Sequence, residues 1–136
     1  MYPNRGFVSI QAIILILVAV ITLSTVLLAF ANAQVAARDE KRLKDIRQFR
    51  VALKLFYDEN GYYPQSLGSG MPRGMNVYLD FWPTAPKAEN GCTGTQNEYI
   101  YAQKFSGQDY ILSFCLGEDS KDLVFGPHTA RSSGID

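Results

Sequence analysis

Histidine is almost missing from this 136-residue chain: His128 stands alone in a polar tail. One imidazole without companions excludes a histidine-built metal centre or a nucleophilic triad, so a solvated surface histidine is expected. Cysteine is scarce too, with only Cys92 and Cys115. No proline occurs between Pro3 and Pro64 and no glycine between Gly6 and Gly61, so nothing there interrupts a helix. Charge of either sign is absent between Arg5 and Arg38. Over the whole chain Lys+Arg and Asp+Glu are 13 each, a balance that argues against both a strongly basic nucleic-acid binder and an acid-seeking protein. The length leaves room for one domain plus an appendage.

What is present is sharply segregated. Residues 6–37 form an uncharged run rich in Ile, Leu, Val and Ala. Roughly 20 such residues span a bilayer, and the apolar part of a signal peptide has about 7–15, so this run exceeds both. Thr22, Ser24 and Thr25 are tolerable in lipid because their hydroxyls can bond back to the preceding turn. The next stretch, "ARDEKRLKDIRQFRVALKLFYDENG", carries seven Lys or Arg between Arg38 and Lys54. In it Ile46, Phe49, Leu53 and Phe56 recur at spacings of three and four, with Leu43, Ala52 and Tyr57 beside them. That marks an apolar stripe, with Arg, Lys, Asp and Gln on the other face. The pattern predicts one helix from about Val8 to about Asp58, on the order of 75 Å long at 1.5 Å per residue. Its first half is apolar all round and its second half on one side only.

"ENGYYP" ends the helix, with Gly61 suited to a left-handed cap and Pro64 preventing resumption. Residues 65–97 are punctuated by Gly and Pro and read as loop, with a short element of undetermined type around Met75–Phe81. "EYIYAQK" and "DYILSFCL" read as a hairpin joined through Phe105–Gln108. Tyr110, Leu112, Phe114 and Leu116 alternate with Ile111, Ser113 and Cys115, so one strand face can lie on the helix stripe. "LGEDSKDLVFG" closes as a turn with a short third strand, and "HTARSSGID" reads as loose or edge-bound. Trp82 and the Tyr62-Tyr63 pair read as packing residues. Cys92 and Cys115 follow an export-like segment, so a disulfide in an oxidising compartment is expected. Closing a loop of about 24 residues contributes roughly 3 kcal/mol in the chain-entropy model. The thiols are better explained by each other than as nucleophiles, and the chain does not read as an enzyme.

"RGFVSIQAIILILVAV" followed by a charged amphipathic helix ending in "YDENGYYP" resembles the prepilin family, the type IV pilins and type II secretion pseudopilins. The C-terminal "NEYIYAQKFSGQDYILSFCLGEDS" is similar, more loosely, to the small sheet of minimal pseudopilins. The resemblance implies a leader, residues 1–6, cut between Gly6 and Phe7 by a prepilin peptidase, with N-methylation of the new terminus. It implies a filament core built from residues 7–37, with Phe7, Gln11, Ile14, Leu17 and Ile21 in the assembling helix. The amphipathic part, 38–60, would hold a globular head, 61–136, through Ile46, Phe49, Leu53 and Phe56. Implied partners are other copies and pilin-like subunits, membrane lipid and an inner-membrane assembly platform, with nucleic acid only if the filament serves DNA uptake. The implied location is a single-pass membrane protein with its C-terminal domain outside, becoming part of an extracellular or periplasmic filament. One departure stands out: the family's usual Glu at the fifth residue after the cut is Gln11 here, which supplies no charge pair to a neighbour's amine and leaves room for a minor or tip subunit, or for a filament aligned in another way.

Other readings stay open. Ala31-Asn32-Ala33 before Gln34 fits signal-peptidase cleavage, which would release a small binding domain, and a plain single-pass anchor would retain one. The count of basic residues, Arg5 against the seven that follow the run, favours a cytoplasmic head, whereas the cysteine pair and the resemblance favour the outside. Asp119, Ser120 and Asp122 have oxygen-rich spacing that could hold Ca²⁺, though such a run is more often a solvated turn, and no cofactor is expected. The expected fold is α+β: a long N-terminal helix carrying a small antiparallel sheet, with the hairpin at about 98–116.

Overall fold

The computed structural model describes residues 9–68, 70–87, 91–120 and 122–136. It contains one long helix, α1 (Ile10–Asn60), and a three-stranded antiparallel sheet of β1 (Ile100–Lys104), β2 (Asp109–Leu116) and β3 (Gly126–Ala130) in that spatial order. This is the α+β layout that the sequence predicts. The chain divides into two compact units, Met1–Gln34 and Val35–Asp136.

α1 ends as its terminal residues dictate. Asn60 donates its side-chain amide to the Phe56 carbonyl at 2.8 Å, and the Gly61 N–H bonds to the Tyr57 carbonyl at 2.8 Å. Gly61 takes a φ of 76°, a left-handed conformation that glycine enters without Cβ strain.

Within the second unit, the stripe of α1 is covered by the sheet. Ile46, Phe49 and Leu53 are fully buried and Phe56 nearly so, as are Tyr110, Leu112, Phe114 and Leu116 on alternate positions of β2. All belong to one core. Aromatic rings fill much of it. Phe49 meets Trp82 at 4.0 Å between centroids and Tyr99 edge-on at 5.5 Å, while Tyr63 lies 4.6 Å from Tyr57 and 4.8 Å from Tyr110. Tyr62 is 47% exposed and packs edge-on against Phe56, with centroids 5.8 Å apart.

The expected hairpin is present, with Ile100 opposite Ser113 and Lys104 opposite Asp109. The third strand starts at the last residue of "LGEDSKDLVFG" and runs on into the tail: it takes residues 126–130, pairing Leu116 with Gly126 and Leu112 with Ala130. β2 has two edges of backbone donors and acceptors, and the tail satisfies the second. The tail then folds back, with Thr129 and Asp136 exchanging both backbone bonds. Of the open alternatives, edge-bound is the one observed. The 65–97 segment forms two short 3₁₀ turns, Met75–Val77 and Gly94–Asn97.

Cys92 and Cys115 are joined by a disulfide, with their Cα atoms 5.6 Å apart and both side chains buried. Cys115 occupies the phase of β2 opposite to Phe114 and Leu116, so the bridge pins the 91–97 segment to β2 apart from the helix-facing row. The Cys92→Ser/Cys115→Ser double variant is expected to lose about 3 kcal/mol. Guanidinium unfolding followed through Trp82, the single tryptophan, checks this. An unshifted midpoint would show that the staple does not constrain the unfolded chain.

Candidate functional site: an apolar helical segment and a head fastened by buried charge

Ser9 opens the helix, its carbonyl accepting from the Ala12 and Ile13 N–H groups at 2.8 and 3.3 Å. From Ile10 onward the large apolar side chains are exposed on every side; Ile14, Leu17 and Ile21 are 53%, 56% and 62% exposed. Gln11 is exposed among them. The hydroxyls are turned inward. Thr22 donates to the Val18 and Ala19 carbonyls at 3.0 Å, Ser24 to Val20 at 2.7 Å and Thr25 to Thr22 at 2.8 Å. Apart from Gln11, Asn32 and Gln34, the segment thus presents little that requires water, which is the condition for lying in hydrocarbon or against copies of itself. Among the described residues one helix, α1, is long and apolar enough to cross a membrane. Gly6 and Phe7, the expected processing site, lie outside the described residues.

The four residues expected to hold the head all lie in its core. Asp39, Arg42 and Asp45, assigned to the solvated face, are 1%, 0% and 5% exposed. The signal was in the phase: 39, 42, 46, 49, 53 and 56 follow steps of three and four, so the buried stripe continues toward the N-terminus as charge instead of hydrocarbon. Arg42 Nη1 donates to Asp39 Oδ1 at 2.6 Å, and Nη2 donates to the Lys87 carbonyl at 2.8 Å and to Asn97 Oδ1 at 3.0 Å. The Asp39 carboxylate accepts from the Gly117 N–H at 3.0 Å and the Glu118 N–H at 2.9 Å. Asp45 accepts from Lys41 Nζ at 2.6 Å and from the Tyr99 hydroxyl at 3.0 Å. Three loops are thereby fastened to one helix face. A buried pair gains only if hydrogen bonds replace its lost hydration, and here they do for all but Arg42 Nε, which has no partner among the described residues.

Burial, followed by the Asp45 charge, raises the Tyr99 pKa far above its ordinary value. Burial likewise raises Tyr101, and it pushes Tyr110 up to about 12 against a partial opposing pull from Arg50. A raised phenol pKa contributes stability that is whole below the unfolded value near 10 and is lost as pH climbs toward the folded value. Head stability is therefore expected to be level up to about pH 10 and then to decline, by up to about 1.4 kcal/mol per pH unit for each phenol involved. Denaturant midpoints across pH 8–12 test this, and a decline beginning well below pH 10 would refute it.

His128 is not a free surface group: it lies on β3, stacks on Phe114 at 5.5 Å, and its Nδ1 and Nε2 face the Asp136 and Val124 carbonyls at 2.9 and 2.7 Å. Asp119 Oδ1 accepts from the Phe125 N–H at 2.8 Å, while Ser120 and Leu123 exchange backbone bonds across a tight turn containing Asp122. Among the described residues no three His, Cys, Asp or Glu groups stand together as a metal site. Comparison with protein-family models, curated proteins and solved structures gives no match for this chain.

Proposed function

We propose that this chain is a membrane-anchored structural subunit of the pilin or pseudopilin kind, cut between Gly6 and Phe7 and assembled through its N-terminal helix. The observation that carries it is the change of character along α1: residues 10–34 are apolar and exposed all round, whereas from Asp39 onward one face is buried in a disulfide-stapled head. Helices of the first kind can exchange lipid contacts for contacts with one another, while the second segment keeps each head folded. The reading places the head outside the cytoplasm, where the Cys92–Cys115 bridge persists. It assigns the chain a prepilin peptidase, an assembly platform and other pilin-like subunits as partners, and a minor or tip position on the strength of Gln11.

Two measurements test it. Intact mass of protein extracted from membranes should give Phe7 as the first residue; Gln34 would indicate a released binding domain, and Met1 a plain anchor. Ile14→Arg should leave head unfolding, read through Trp82, unchanged while abolishing recovery of the chain in sheared surface fibres. Fibres that retain the variant would overturn the proposal.

A further inference from the structure

The head carries a cleft of about 900 Å³ between the end of α1, the turn at 73–78 and the β1–β2 connection. Nothing in the filament reading uses it. Its floor is Phe56, and two tyrosines, Tyr62 and Tyr78, meet that ring steeply at centroid distances of 5.8 and 5.7 Å. The Tyr78 hydroxyl donates to Glu59, which fixes the ring and occupies that carboxylate. Gln103 donates its amide N–H to the Tyr63 carbonyl at 2.6 Å, which orients its side chain and leaves its oxygen as an acceptor. Gln65 and Arg73 also line the cleft, and neither has a hydrogen-bond or ion-pair partner among the described residues. Among the described residues Arg73 is the one charged side chain in the lining.

The wall on the β1–β2 side is strained. Phe105 and Ser106 both adopt left-handed backbone, with φ of 47° and 53°, and Ser106 lines the cleft. Two consecutive non-glycine residues there cost on the order of 1–2 kcal/mol each, and such strain concentrates at ligand sites. Gly107, at φ 91°, completes the turn; a Cβ there would stand 2.9 Å from Tyr62 Cβ and 3.0 Å from Gln103 Nε2. The turn thus lets the tyrosine and the glutamine close on the same space.

We infer that this cleft binds an acidic oligosaccharide. Tyrosine faces take the C–H faces of pyranose rings, planar amides pair with vicinal hydroxyls, and an unpaired guanidinium receives a carboxylate in a two-pronged contact. The volume suits a ligand of two or three sugar rings. A lipid chain would leave the amides and Arg73 unpaired, and a single cation is too little for a nucleic-acid backbone.

The test is calorimetric titration of the full chain in detergent with trigalacturonic acid and, separately, maltotriose. The acidic sugar should bind at least tenfold more tightly than the neutral one. Arg73→Gln should remove that preference, and Tyr62→Ala should weaken binding of the acidic sugar about tenfold. Both variants should keep the wild-type far-ultraviolet dichroism. Equal affinity for both sugars, no binding of either, or an Arg73-dependent affinity for a tri-glutamate peptide that exceeds the sugar's would each overturn the inference.

Discussion

Asp39→Asn is expected to destabilise the head by about 3–5 kcal/mol, a large part of the 5–15 kcal/mol that typically holds a small domain together. The substitution preserves shape and removes only charge. It leaves the Arg42 guanidinium, 0% exposed, without its anion, and it deprives the Gly117 and Glu118 amides of the carboxylate that both now share. The cost is that of an uncompensated buried cation more than of a lost attraction. The companion double variant, Asp39→Asn/Arg42→Met, should therefore be more stable than the single one, since the orphaned charge leaves with the arginine. Guanidinium unfolding read through Trp82 decides the point. If the double variant is no better than the single, the pair acts through geometry rather than charge.

The other large effect is expected at Phe49. Its ring is fully buried and touches both Trp82 and Tyr99, so Phe49→Ala opens a cavity where helix, loop and sheet meet. A loss of about 3–5 kcal/mol follows from lost transfer energy plus the void. The native emission of Trp82 should also shift to the red as water reaches the uncovered indole face. Phe49→Leu should recover much of the loss. Val51→Ala, two residues along the same helix but 61% exposed, should stay within about 0.5 kcal/mol. A Phe49→Ala change no larger than that of Val51→Ala would mean that the aromatic cluster does not bear the head's stability.

The parts of this fold legible in the sequence are those where one physical demand acts alone. Ile46, Phe49, Leu53 and Phe56 announce a buried face because hydrocarbon at helical spacing has no other use in a water-exposed helix. Tyr110 to Leu116 announce a strand by alternation, and two cysteines in one small head announce each other. Asp39, Arg42 and Asp45 were hidden because charge overrides phase in any reading by residue type, although their spacing places them on the same stripe. The third strand lies further along than the sequence suggests because its residues, Gly126 to Ala130, carry no run of alternating apolar side chains and join the sheet through backbone bonds, to which side-chain patterning is blind. The cleft beside Arg73 was invisible for a related reason. Its lining comes from three separated segments, and its strained turn at Phe105 and Ser106 has no glycine to mark where the left-handed backbone begins.

The disulfide closes a ring wholly within residues 92–115, and α1 lies outside that ring. A tug delivered along the chain from upstream of Val35 therefore finds no cross-link opposing it. It first meets the grip of Asp39 on two backbone amides, and only after that latch opens does it reach the aromatic rings behind. Mechanical failure of the head would begin as the rupture of a short-range polar lock and end as the peeling of a helix from a sheet that itself stays tied.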